Sequence, residues 1–242
     1  MATVDQVMAE LAEQGTEQQR RIYERHGAPK PQFGVKFADL RPMAKRLGTD
    51  DELARALWAT ANTDARLLAC MVAEPSRMSE ADLDGWLADI DYYVLVDVFV
   101  GSLAGKVAGV RARADRWMAS SRDWTAQAGW DLVGVLAATD PDLDDAYFLH
   151  RLATIEGEID GAGNRTRHAM NGALIAIGIR DAELQGAAMA AGARIGQVVV
   201  DHGKTGCVTP DACSYIEKTV AYRETQAAKR AARTSAQAVG AG

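Results

Sequence analysis

The 242-residue chain is poor in the residues that crosslink or punctuate a fold. It has 3 cysteines, Cys70, Cys207 and Cys213; an odd number at this density excludes a disulfide framework. It has 6 prolines and 6 % aromatics against abundant Ala and Leu, a mix that favours helix over strand. No apolar run reaches 18 residues, which excludes a membrane-spanning helix. The opening MATVDQVMAELAEQ carries acids where a secretion signal has a basic then apolar pattern, so a cytoplasmic location is expected. Neither GxGxxG nor GxxxxGK[ST] occurs, so no nucleotide-phosphate loop is expected. Asp201, His202, Cys207 and Cys213 lie close together, but H-x4-C-x5-C matches no usual zinc site. No metal or other cofactor is expected, and the Gly residues of DHGKTGC read as a turn.

What is present is apolar and helical. Hydrophobic residues make up 48 %, enough for a sizeable core. DDELARALWATA (50–61) puts Leu53, Leu57 and Trp58 on one side behind an acidic first turn. SEADLDGWLADI (79–90) starts on a Ser cap and repeats Leu83, Trp86, Leu87 and Ile90 at helical spacing. DPDLDDAYFLHRLATIEGEI (140–159) and TPDACSYIEKTVAY (209–222) begin with Asp caps and an early Pro. QVVVD (197–201) is the one strong β-like run, and a single strand makes no sheet. The expected class is all-α.

Four apolar helix segments end alike: CMVA (70–73), VFVG (98–101), GVLA (134–137) and IAIG (175–178), spaced 28, 36 and 41 residues apart. That approaches the roughly 40-residue period of HEAT-type helical pairs, whose stacking gives a solenoid with a concave face. An irregular helical bundle is the alternative on periodicity alone. A single domain is expected over 1–226, with a basic, Ala-rich tail (227–242) that frays.

The formal net charge is −6, which argues mildly against a nucleic-acid partner. The charge is segregated, however. DPDLDD (140–145) and EGEID (156–160) are acidic, whereas 30–46, 106–116 and 164–180 are basic. Either these are ordinary solvated helix faces, or they converge on one basic surface with an acidic back.

One acid stands out. In DYYVLVDVFVGSLAG (91–105), Asp97 is surrounded by Val94, Leu95, Val96, Val98, Phe99 and Val100. A carboxylate taken out of water needs a partner or protonates. It is either a structural acid held by an Arg or a helix end, or it faces a groove. Tyr93 and Asp97 are i and i+4, neighbours on one helix face, and Gly101 continues the stripe with no side chain. That gap would let a sugar-phosphate backbone come close.

Several stretches together resemble the DNA alkylation repair family of the AlkD type. They are FGVKFADLRPMAKRLG (33–48), LWATANTDARLLACMVAEP (57–75), LADIDYYVLVDVFVG (87–101), AGWDLVGVLA (128–137), NRTRHAMNGALIAIG (164–178) and VVVDHGKTGCVTPDACSYIEK (198–218). The resemblance spans roughly residues 30–222. It implies an α-α superhelix of HEAT-like repeats with a basic concave face, acting as a monomer on double-stranded, alkylated DNA. It also implies removal of cationic N3- and N7-alkylated purines. Tyr93 and Asp97 match the family's aromatic and essential Asp. Gly172 stands where a second aromatic belongs, and Gln127 where an Arg contacts DNA.

The chemistry such a site performs needs one acid. A cationic alkylpurine is already a good leaving group, so a fixed carboxylate that stabilises the sugar cation and orients water suffices. Asp97 is the candidate, with Tyr93 as an aromatic wall. Candidate DNA contacts are Lys36, Arg41 and Lys45, Gln127, Trp124 in place of the missing aromatic, and Arg165, Arg167 and His168 at a helix start whose free N–H groups would add to an anion site. The other tryptophans, Trp58, Trp86, Trp117 and Trp130, read as packing. A solenoid that binds distorted or branched DNA without catalysis, and a protein-interaction scaffold, are the other two readings.

Overall fold

A computed structural model describes residues 2–239; for 231–239 only the backbone is described. Helix starts are set by side chains that satisfy the first free N–H groups. Thr3 with Gln6, and Ser79 with Asp82, form reciprocal capping boxes. Asp50, Asn62, Asp144 and Asp181 each accept an N–H of the following first turn.

Thirteen α-helices result among the described residues, with three single 3-10 turns. They are α1 (Val4–Gln14), α2 (Glu17–Arg25), α3 (Phe37–Leu47), α4 (Asp51–Ala59), α5 (Thr63–Val72), α6 (Glu80–Ala88), α7 (Tyr93–Ser102), α8 (Val110–Met118), α9 (Asp123–Thr139), α10 (Asp145–Glu158), α11 (Asn164–Gly178), α12 (Ala182–Ile195) and α13 (Ala212–Val239). No residue among those described is in a strand, and QVVVD is extended chain between α12 and α13. The helix expected from 140 starts at Asp145, because Asp144 supplies the cap and Pro141 lies in the preceding turn. The tail expected to fray, 227–242, is helical as far as Val239; residues 240–242 lie outside the described residues. Ala, Lys, Arg and Gln are strong helix formers, which is reason enough for α13 to continue.

The helices form two layers. α3, α5, α7, α9, α11 and α13 lie side by side, each packed on the next. α4 backs α5, α8 backs α9, and α10 and α12 back α11. The four apolar runs legible in the sequence fall on α5, α7, α9 and α11, four consecutive members of the first layer. The fold is an all-α, HEAT-like helical-repeat solenoid. α8 and α9 approach so closely at Gly129 that a Cβ there would lie 2.3 Å from Met118 N.

The tryptophans pack as expected. Trp58 and Trp86 stack at 4.1 Å, and the indole N–H of Trp58 and Trp117 donate to Asp89 and Asp84. Arginines then tie the pairs together through carbonyls that helix ends leave free. Arg66 donates to Trp58 O and Asp89 O, Arg122 to Leu87 O and Ile90 O, and Arg180 to Ala137 O, Pro141 O and Leu143 O. Arg113 is completely buried, donating to Ala104 O, Val107 O, Ala108 O and Glu80. Of the positive charge in 106–116, Arg113 is therefore internal and Arg116 is paired at the surface with Glu80 and Asp84, while Lys106 and Arg111 are exposed.

Candidate nucleic-acid interface

Asp97 faces the open side of the first layer. Its surroundings answer the question its sequence poses: Val96, Phe99 and Val100 pack behind, while the carboxylate is exposed. No Arg or Lys pairs with it among the described residues. Its partner is the buried side-chain amide of Gln127 on α9, whose Nε2 donates to Asp97 Oδ1 at 2.8 Å. The same Nε2 lies 3.4 Å from Asp131 Oδ2 and 3.4 Å from Tyr93 O. Gln127 is thus a buried, neutral clamp between two carboxylates and not the surface contact expected of it.

Crowding by the surrounding walls raises Asp97 to about 6, against the smaller opposing pull of the Gln127 amide and the Arg165 charge. Because the carboxylate still meets water, solvent screening limits the free energy this represents. Asp131 is pushed up further, first by burial and then by the charge of Asp97. The two share one donor and titrate as a pair.

Two clefts meet at Asp97. One of about 400 Å³ is bounded by Phe37 and Arg41 of α3, Met71 of α5, and Val98 and Ser102. The other, about 440 Å³, is bounded by Gly101, Lys106, Asp131, Gly134 and Ala138. Arg41 is therefore brought to the same face as Asp97. Lys45 lies one turn along α3 from it, and Lys36 immediately precedes that helix; all three are exposed. A Cβ on Gly101 or on Gly172 would meet nothing within 4 Å. Position 172, where the resemblance calls for an aromatic, is open and exposed.

Tyr93 is fully engaged. Its hydroxyl is hydrogen-bonded to Nδ1 of His26, just after α2, and the guanidinium carbon of Arg165 sits 4.0 Å from its ring centroid. Burial, then the neighbouring Cys207 and Asp97, raise the phenol, while Arg165 lowers it. Half-buried Trp124 packs against the core.

At the start of α11 the N–H groups are not free. Asp123 of α9 accepts from the N–H of Arg165 and Thr166 and from the Thr166 hydroxyl. The expected anion site at these backbone groups is thereby filled by the protein's own carboxylate. Arg167 donates to Ile159 O, Asp160 O, Ala162 O and Val199 O, and so fastens the 196–211 loop. His168 lies edge-to-face on His202 of that loop, ring centroids 5.6 Å apart. Arg165, His168 and Gly172 form one stripe along α11, at helical spacing.

Sequence reasoning missed His26 and Asp131. Asp131 is four residues after Gln127 and so on its face, a signal present in the sequence. His26 meets Tyr93 across 67 residues, and no local pattern encodes that.

A profile of the DNA alkylation repair enzyme family matches residues 7–216. Uncharacterised proteins of Listeria innocua and Listeria monocytogenes are each 30 % identical over 223 residues, covering 90 % of this chain and 97 % of theirs. A solved structure superposes with a TM-score of 0.83 at 29 % identity, covering 91 % of this chain and 95 % of its own. That structure is described as a new family of proteins related to the HEAT-like repeat DNA glycosylases with affinity for branched DNA structures. With the profile spanning most of its length, the chain belongs to the DNA alkylation repair enzyme family.

Proposed function

We propose that this protein binds branched DNA along the α3–α11 face and does not excise alkylated bases. The observation that carries this reading is Arg165 over Tyr93. A cationic alkylpurine, or the cationic sugar left as it departs, would need the aromatic face that the guanidinium already covers. Two positive charges on one ring repel, so the stacking that favours a cationic group is not available there. Gly172 offers no second aromatic wall to exclude water. A stacked guanidinium instead presents its N–H edge, which suits phosphate oxygens. The branched-DNA affinity ascribed to the structural relative supports the same substrate class for this chain.

One observation favours a second reading, excision with Asp97 as the stabilising carboxylate. Asp97 is exposed, free of any cationic partner among the described residues, and held by Gln127 beside two open clefts. That is a geometry in which a carboxylate can act on a sugar cation.

Two assays on one preparation decide between them. Anisotropy with a labelled four-way junction and a linear duplex measures affinity at several salt concentrations; release of methylated purines from methylated duplex measures excision. Junction binding that exceeds duplex binding and falls steeply with salt, with no base released, is the expected result. Base release by wild type that Asp97→Asn abolishes while still folded overturns it in favour of the second reading. Salt-insensitive or absent binding overturns both.

A further inference from the structure

Four basic side chains from three elements lie near one another: His26 and Arg165 meet Tyr93, and His168, one turn along α11 from Arg165, meets His202. His26 follows α2, Arg165 and His168 belong to α11, and His202 belongs to the 196–211 loop. The nitrogens they leave open are the notable feature. Arg165's guanidinium makes no hydrogen bond or ion pair with any described residue. His26 uses Nδ1 on Tyr93 and keeps Nε2 free. His202 uses Nε2 on the Thr209 hydroxyl and keeps Nδ1. His168 has no hydrogen-bond partner for its ring among the described residues. Many other arginines pair with carboxylates or carbonyls, as Arg55, Arg113, Arg116 and Arg194 show, whereas Arg111, like Arg165, lies over a tyrosine ring.

The charged and titratable groups around the cluster do not neutralise it. Asp123 is engaged by the N–H groups and hydroxyl of α11's first turn. Asp97 is turned to Gln127. Arg25 adds a further positive charge beside His26, and the Tyr93 phenol, raised by burial, is a neutral neighbour. A guanidinium with unused donors, and three imidazoles with unused ring nitrogens that donate once the rings are protonated, come from separate elements and make a receptor for an oxyanion that supplies several acceptor atoms.

We propose that Arg165, His26, His168 and His202 form a phosphate-binding site, with Arg165 held in place by Tyr93. The assignment rests on the DNA-binding reading for its substrate, since either a backbone phosphodiester or a terminal 5′-phosphate supplies the chemistry. Phosphate oxygens accept from the Arg165 edge and from the free imidazole nitrogens. Burial and nearby cations hold His26 and His168 below the ordinary histidine range, so they are largely neutral at pH 7. A bound phosphate favours their protonated forms, so binding takes up protons and strengthens as pH falls towards 6.

The test follows the histidine ring resonances of 15N-labelled protein by NMR. Inorganic phosphate is the first probe, then four-way junctions with and without 5′-phosphates, with junction affinity measured by anisotropy. Arg165→Gln removes the anchor without removing any hydrogen bond of the fold, and His202→Gln gives a second variant on a separate element. The expected result is that phosphate shifts His26, His168 and His202 together and raises their titration midpoints. Arg165→Gln then abolishes the shifts and weakens junction binding about tenfold, the scale of one charged hydrogen bond. A need for the 5′-phosphate assigns the terminal source; indifference to it assigns the backbone. Unmoved histidines together with junction affinity unchanged in both variants overturn the site and leave DNA binding standing. Histidines that respond to inorganic phosphate in a protein that binds no junction keep the site and overturn the DNA reading.

Discussion

Gln127 Nε2 donates to Asp97 Oδ1 at 2.8 Å and stands 3.4 Å from Asp131 Oδ2, so one neutral amide serves two carboxylates. No cation is ion-paired with either acid among the described residues, and the pull of Arg165 on Asp97 is the smaller effect. The arrangement costs stability whenever both acids are ionised, which gives the fold a pH dependence that can be measured.

Unfolded, Asp97 ionises near pH 4; folded, it is raised to about 6. The native state therefore binds the proton more tightly. The stability this contributes is fully present below about pH 4, is lost as pH rises, and is gone above about pH 6. Asp131, raised in the same direction, extends the loss upwards. Asp97→Asn keeps an acceptor for Gln127 and removes the charge. It is expected to stabilise the protein at pH 8 by about 1 kcal/mol, a figure reduced for solvent screening, and so raise Tm by about 2–4 °C. Thermal melts from pH 4.5 to 8.5 should show a flatter profile in the variant. A melting temperature that falls at pH 8 would mean that Asp97 is a structural acid with a partner.

Gly129 tests the packing that places this amide. α9 carries Gln127 and Asp131 and meets α8 backbone to backbone, with no room for a methyl group. Gly129→Ala gains helix propensity of under about 1 kcal/mol but forces the two helices apart, for a net loss of about 2 kcal/mol. Chemical denaturation with an unchanged m-value would measure it. Because α9 would move with its whole inner stripe, the Asp97 titration should shift in the same variant. A stability equal to wild type would show that α8 and α9 separate at no cost.

The layered helices were legible because burial repeats. CMVA, VFVG, GVLA and IAIG sit on α5, α7, α9 and α11, whose apolar content follows from having neighbours on several sides. Caps were legible for the same local reason, as at Ser79 and Asp144. The fate of the arginines was not. Arg165 and Arg167 are two residues apart and chemically identical in the sequence. One lies on a tyrosine ring with its donors open, and the other is bound to four carbonyls. What separates them is which carbonyls the neighbouring pair leaves unsatisfied, a tertiary fact. The same holds for Asp123, whose capping of α11 spans 42 residues.

Gly172 offers the sharpest test of what the site lacks. It lies on the Arg165–His168 stripe, exposed, in helical conformation, with open space where a side chain would go. Gly172→Ala should stabilise α11 by about 0.5–1 kcal/mol through backbone entropy alone. Gly172→Trp adds the missing aromatic wall with no clash at its Cβ. If the lost wall and the covered Tyr93 ring both prevent excision, Gly172→Trp alone releases no methylated purine, and Gly172→Trp with Arg165→Gln does so at a detectable rate. The readout is purine release from methylated duplex, against the same double variant carrying Asp97→Asn as the blank. Release by the single Gly172→Trp variant would show that Arg165 does not bar the ring. No release by the double variant would place the deficiency in the Gln127–Asp97–Asp131 cluster, where the donor to both carboxylates is a neutral amide.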